Sequence, residues 1–178
     1  MSRPRISGGT ARGRALETPP SGTRPTPAKV RTAVFDSLQF REPGRFLDLF
    51  SGSGAMGLEA ASRGWQATCV ELNRRASAVI SRNARNLGLD VNVVTGDALR
   101  YVREEGCFDV VFVSPPYPLD LAPVFRAILT SGAASAGGVY LLQHPTSFHL
   151  DGQDLPPTGS LRRRTYGTNT LSEIRLSA

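Results

Sequence analysis

The stretch Asp48-Leu-Phe-Ser-Gly52-Ser-Gly54-Ala-Met-Gly57 constrains this chain more than any other. It follows an apolar run, Phe46–Phe50, and leads into an Ala-rich run, Ala55–Arg63, that Gly64 closes. Glycine lets a backbone turn tightly and lets a ligand approach it closely. A helix that starts at such a turn offers free N–H groups above the strand end. The spacing Gly52-x-Gly54-x-x-Gly57 fits the dinucleotide-type fingerprint, and strand–turn–helix is the context that fingerprint requires. A parallel α/β sheet with a nucleotide-type pocket at its C-terminal edge is the expected consequence.

The rest of the chain continues the pattern. Ala67–Leu72 reads as a strand, Arg74–Leu87 as a helix closed by Gly88, and Val91–Thr95 as a third strand. Phe108–Val113 reads as a fourth strand, Leu121–Leu129 as a helix and Val139–Gln143 as a fifth strand. Leu161–Tyr166 and Thr170–Leu176 read as a terminal hairpin around Gly167-Thr-Asn169. Strands alternating with helices predict a Rossmann-like, mostly parallel seven-stranded sheet with helices on both faces and a terminal antiparallel strand. Residues 41–178 make up this domain. Residues 1–40 read as a small basic extension of it, with a hairpin over Arg5–Leu16 that places Gly8-Gly9 near its turn. A helix follows, with Thr26 as N-cap, Pro27 at its first position and Val30, Val34 and Leu38 as its apolar stripe.

At 178 residues the chain fits one domain with a real core. Its net charge is +6, and Lys29 is the only Lys among its basic residues. Arg3, Arg5, Arg12, Arg14 and Arg24 crowd the N-terminal segment against a single acid, Glu17, which favours a polyanionic partner such as RNA or DNA. Cys69 and Cys107 lie in apolar stretches without CxxC spacing and read as reduced core residues, so neither a disulfide nor a metal site is expected. No apolar run is long enough to span a bilayer, and the N-terminus lacks the apolar region of a signal peptide. A cytoplasmic protein without a membrane partner is expected.

Acidic residues close the first three strands. Asp48 lies four residues before Gly52, where a carboxylate suits a cationic amino group better than a pyrophosphate. Glu71, about 20 residues past the glycines, is placed to accept from both ribose hydroxyls. Asp97 is placed to accept from an adenine amine. Each of the three acids has a competing role as a solvated acid or helix cap. These features favour S-adenosylmethionine (SAM), which leaves as S-adenosylhomocysteine, over NAD. Ser114-Pro115-Pro116-Tyr117 follows the fourth strand at the same edge. A nucleobase amine is a poor nucleophile because its lone pair is delocalised. The Ser114 hydroxyl and the Pro115 carbonyl are acceptors able to hold its N–H groups, the prolines stiffen the loop, and Tyr117 offers a ring for the base. The whole describes a class I SAM-dependent methyltransferase fold acting on an exocyclic amine.

The N-terminal lead Arg5-Ile6-Ser-Gly8-Gly9, Gly13-Arg14-x-Leu16, Thr23-Arg24-Pro25-Thr26 and Arg31-x-x-x-Phe35-x-x-Leu38, with the loop from Asp48 to Ala60 and the late Tyr166-Gly167, resembles the RsmD-type enzymes. These methylate N2 of a guanine in 16S, small-subunit, ribosomal RNA. The resemblance implies that activity, an RNA or assembling-subunit partner and a monomer. It implies RNA contact by the hairpin arginines Arg3, Arg5, Arg12 and Arg14. It also implies cofactor contacts from Asp48, Phe50, Gly52, Ser53, Gly54, Gly57, Glu71, Leu72, Asp97, Ala98, Arg24 and Thr26. The family usually carries Asp where this chain has Ser114, and Ser-Pro-Pro-Tyr is typical of DNA cytosine-N4 methyltransferases. Two alternatives therefore stand beside the guanine reading. One is amino-methylation of cytosine N4 or adenine N6 in DNA or RNA, and the other is a non-catalytic ribosomal-RNA-binding assembly factor.

Overall fold

A computed structural model describes residues 3–20, 25–116 and 119–178. Its elements run α1 (Ala28–Leu38), β1 (Arg45–Leu49), α2 (Ala55–Ser62), β2 (Gln66–Glu71), α3 (Arg74–Leu87), β3 (Val91–Thr95), α4 (Ala98–Glu104), β4 (Phe108–Val113), α5 (Leu121–Leu129), β5 (Ala134–Pro145), β6 (Gly159–Tyr166) and β7 (Asn169–Leu176). They form a seven-stranded sheet in the order β3-β2-β1-β4-β5-β7-β6, in which β7 alone runs opposite to the other six strands. This is the Rossmann-like, mostly parallel architecture that the alternating pattern predicts. The chain leaves β1 for β2 and β3 on one side, then returns to β4 on the other. The strand order reverses between β1 and β4, and open α/β sheets bind ligands at such a switch point.

The central strands are apolar on both faces because helices cover both. Phe46, Phe112 and Leu141 point toward α1 and α2, where Phe35, Met56 and Trp65 complete one core. Leu47, Val111, Val113 and Leu142 point the other way, onto Phe125 and Ile128 of α5. A third cluster joins Ile6, Ala11 and Leu16 of the N-terminal segment to Ala55 and Leu58 of α2 and Ala84 of α3.

That segment folds back on itself as foreseen. The Ile6 N–H donates to the Arg14 carbonyl at 3.0 Å and the Gly13 N–H to the Ile6 carbonyl at 2.8 Å, with one bridge between Arg5 and Ala15. It is fastened by Glu59 of α2, whose side chain is 0% exposed. The carboxylate accepts from the Ser7 N–H and hydroxyl, each at 2.8 Å, and from the Gly8 N–H at 3.0 Å. Arg63 Nε donates to it at 3.0 Å, and the buried Arg31 of α1 lies 3.9 Å away. Arg31 also donates to the carbonyls of Thr26 and Arg5, at 2.8 and 3.0 Å. One buried acid therefore joins the hairpin, α1 and α2.

Several expectations need correction. Pro27 is the N-cap of α1 and not its first residue, since its ψ of 143° is extended; Thr26 lies outside the helix. Phe50 is not part of β1, because the strand ends at Leu49 and Phe50 adopts a left-handed φ of 58°. Helix α4 was not foreseen, and β5 begins earlier and ends later than its apolar run suggests. Cys69 is buried, but Cys107 is exposed: the chain turns there with a φ of 64° on its way into β4.

Replacing Glu59 with Ala strips these donors of their acceptor and leaves Arg31 buried beside no opposite charge. The expected loss of unfolding free energy, read by denaturant titration, is about 3 kcal/mol. Amide exchange at Ser7 and Gly8 should quicken by more than the global loss alone accounts for.

Candidate active site

The glycine turn sits above the C-terminal end of β1. Phe50, Gly52 and Gly54 all have positive φ (58°, 57° and 75°), so three of five consecutive residues lie in the left-handed region. A non-Gly residue there is strained, and such strain persists only when its surroundings over-determine it. The side chain of Phe50 is packed against the α5-side core. At Gly54 a Cβ would lie 2.8 Å from Ile80 of α3, so α3 forms the wall behind the turn. At Gly57 a Cβ would meet Cys69 Sγ at 2.2 Å and Asp48 Oδ2 at 3.2 Å. The third glycine therefore lets α2 lie directly on β1 and β2.

That close approach decides what Asp48 does. Its side chain is buried at 1% exposure, and Oδ2 accepts from the Gly57 N–H at 3.0 Å, with Cys69 Sγ at 3.9 Å. Asp48 thus lies beneath the turn, and its Oδ2 holds the first turn of α2. Burial pushes its carboxyl up to about 8, against the opposing pull of the Gly57 N–H. Burial raises the Cys69 thiol too, with Asp48 adding to the effect.

Glu71, at the end of β2, faces the turn. Oε1 accepts from the Gly52 N–H at 2.8 Å and Oε2 from the Asn73 N–H at 2.8 Å. A carboxylate has about four lone-pair sites, so each oxygen keeps capacity for a further donor. Beside it Leu72 is 70% exposed. Asn73 caps α3 by accepting from the N–H groups of Arg75 and Ala76, a polar anchor that the reading of the sequence passed over. Asp97 takes the competing role considered for it: Oδ1 accepts from the Arg100 N–H at 2.8 Å and caps α4, whose first residue, Ala98, is buried. Ser53 is buried, and its hydroxyl accepts from the Ala55 N–H at 3.3 Å.

Ser114-Pro115-Pro116 leaves β4 directly beside the turn, with the Ser114 N–H 3.5 Å from the Leu49 carbonyl. The Ser114 hydroxyl donates to Gln143 Oε1 of β5 at 3.0 Å. Gln143 was not singled out from sequence, where it reads only as the last residue of a strand. Tyr117 and Arg24 lie outside the described residues. Arg3, Arg5, Arg12 and Arg14 are exposed; Arg5 donates to the Gly13 carbonyl at 2.8 Å and Arg14 to the Asn86 carbonyl at 3.2 Å. The hairpin that carries them meets the C-terminal ends of α2 and α3, where the Thr10 N–H donates to the Ser62 carbonyl at 2.8 Å and Arg14 reaches Asn86. Among the described residues no group of three His, Cys, Asp or Glu gathers at metal-binding spacing, and no helix is long and apolar enough to cross a membrane.

The raised Asp48 carboxyl gives a pH signature. A carboxyl whose folded value lies above its unfolded one stabilises the fold fully below the ordinary value of 3.8. That stability is lost as pH rises through about 8. Asp48→Asn keeps the shape and cannot ionise. Its melting temperature relative to the native chain should therefore climb between about pH 4 and 8 and level off above, and a flat difference across that range would refute a buried, proton-holding Asp48.

A sequence model of the family described as Conserved hypothetical protein 95 matches residues 4–175. "Ribosomal RNA small subunit methyltransferase D" of Escherichia coli K12 is 40% identical over 118 residues, covering 64% of this chain and 60% of that protein. The chain thus spans under two thirds of that relative's length. A hypothetical protein of Thermus thermophilus is 44% identical with a TM-score of 0.85, over 98% of this chain and 99% of that one. The candidate methyltransferase yhhF of Escherichia coli superposes with a TM-score of 0.87 at 28% identity, over 99% of both chains. Since the family match runs from the N-terminal hairpin into the last strand, the chain belongs to the Conserved hypothetical protein 95 family and is RsmD-like.

Proposed function

We propose that this protein transfers the methyl group of SAM to the exocyclic N2 amine of a guanine in small-subunit ribosomal RNA. One observation carries the reading: a rigid Ser-Pro-Pro segment stands against a ligand-type glycine turn, with the Ser114 N–H 3.5 Å from the Leu49 carbonyl, at the switch point of the sheet. The name of the Escherichia coli relative supports the choice of substrate.

The residues around the turn fit an adenosine-bearing cation. Gly52 and Gly54 offer close backbone approach. The spare lone pairs of Glu71 suit two ribose hydroxyls, exposed Leu72 gives an apolar surface to adenine, and the oxygen of Asp97 not engaged in capping suits its amine. Asp48 supports the turn from below, and Thr26, just before α1, contacts the cofactor together with Arg24. SAM bound there supplies a methyl group made electrophilic by its sulfonium. The chain's own part is positioning. The Ser114 hydroxyl and the Pro115 carbonyl accept the amine N–H groups, which turns the nitrogen lone pair outward and disperses the charge that develops as one N–H is exchanged for N–CH3. The displaced proton leaves to water. Tyr117 stacks on the base, and Pro116 keeps the loop from yielding. The partner is ribosomal RNA, free or in an assembling subunit. Arg3, Arg5, Arg12 and Arg14 hold its phosphates, with Arg162 and Arg164 on the edge strand β6 as a second contact.

A second reading has its own support. Ser114 is neutral where a carboxylate would stabilise positive charge more strongly, and a cytosine N4 or adenine N6 amine is held by the same acceptors. Labelled SAM offered to unmodified small-subunit RNA, naked and in particles, beside double-stranded DNA, separates the two. N2-methylguanosine in the nucleoside digest is the expected product, and N4-methylcytosine or N6-methyladenine would shift the substrate. Glu71→Ala should weaken SAM binding about tenfold or more by calorimetry, near 1.4 kcal/mol. Unchanged affinity would remove Glu71 from the cofactor site.

A further inference from the structure

Ser114 and Gln143 occupy one face of the sheet. Val113 of β4 is in register with Leu142 of β5, so the next residue of each strand sits side by side. Phe112 and Leu141, two residues earlier, both belong to the α1-side core, which places Ser114 and Gln143 at the upper rim of that same face. Both side chains are half-buried. The Ser114 hydroxyl gives its hydrogen to Gln143 Oε1 at 3.0 Å. Among the described residues the Gln143 amide nitrogen has no acceptor. Leu171 of β7, paired with Gln143 across the strand, is buried and apolar.

A lone serine hydroxyl rotates, and offers a hydrogen or a lone pair as the moment favours. Tied to Gln143 it cannot. Its hydrogen is committed, so both of its lone pairs remain for a donor from outside. The Gln143 amide in turn keeps its N–H groups for an acceptor. The pair thus presents an acceptor and a donor next to each other, both neutral. A guanine amine has the matching face, with N–H donors on N2 and the N3 lone pair beside them. We propose that Gln143 is a positioning residue for the methyl acceptor, holding Ser114 so that the two side chains together recognise an amine and its flanking ring nitrogen. The proposal rests on methyl transfer to a guanine amine as its parent reading.

A strut between two strands would show the same hydrogen bond, so the test must read the amine itself. The methylated guanosine is first mapped in small-subunit RNA. A hairpin RNA carrying it is then compared with a twin carrying inosine, which lacks the N2 amine. Binding is measured by fluorescence anisotropy with S-adenosylhomocysteine present, so that nothing turns over. The native protein should prefer the guanosine hairpin several-fold, up to about tenfold for hydrogen bonds between neutral groups. Ser114→Ala and Gln143→Leu should each abolish that preference and lower the rate of methyl transfer to a similar degree. The double variant should be no worse than either single one, because the two side chains act as one unit. The melting temperature and affinity for SAM should hold in all three.

Equal binding of the two hairpins by the native protein would overturn the proposal. So would a Gln143→Leu protein that keeps the preference, losses that add in the double variant, or a fall in melting temperature that matches the fall in rate. A native protein that methylates no guanosine would overturn the parent reading, and this proposal with it. Methylation of guanosine with no part for Gln143 would overturn this proposal alone.

Discussion

Glu59 is a carboxylate without water. At 0% side-chain exposure it is tolerable only because backbone N–H groups, a hydroxyl and arginines surround it, since an isolated buried charge is far too unfavourable to persist. Every one of those donors comes from a different part of the chain than the sheet does. The hairpin contributes Ser7 and Gly8, α1 contributes Arg31, and the end of α2 itself contributes Arg63. The helix that bears Glu59 starts at the glycine turn. The N-terminal segment, held along α2 from Ala55 to Ser62, and the glycine turn are therefore joined through one short helix, and the placement of each is a condition on the other.

At the turn itself the structure uses burial instead of charge pairing. Asp48 stands under α2 and accepts a single backbone N–H, and its carboxyl is pushed up to about 8 by the absence of water. The acid that faces the crevice is Glu71, which spans the turn and the start of α3 with its two oxygens. Two carboxyls close in sequence pattern thus have opposite tasks. One organises backbone from within, and the other keeps acceptor capacity at the surface. The left-handed Phe50 between them is held by packing, which fixes the turn before any ligand arrives.

The elements with strong local signals were legible in the sequence: apolar strands, the Gly64 and Gly88 helix ends, and the glycine spacing. Helix α4 was not, because it is short and buries only Ala98 and Val102, so it carries no apolar stripe to read. The burial of Asp48 and its hold on the Gly57 N–H were not legible, since spacing along a chain says nothing of how closely a helix lies on a sheet. The Gly57–Cys69 approach that settles it joins residues in different elements. Gln143 was invisible for the same reason. Its meeting with Ser114 spans 29 positions and follows from the register of β5 on β4, which no local pattern encodes. The N-terminal hairpin was visible through its glycines, but not its fastening to Glu59, about 50 residues on.

The misplaced cysteine has a practical side. Of the two thiols, Cys69 is sealed between Asp48 and α2, and Cys107 is exposed on the loop that enters β4. A thiol-directed dye or spin label will therefore attach at one position without any substitution. That position lies at the opposite end of β4 from Ser114, some 20 Å away at the usual strand rise. The chain thus carries its own attachment point for spectroscopic distance measurements, close enough to report on the loop after β4 and far enough to leave it alone.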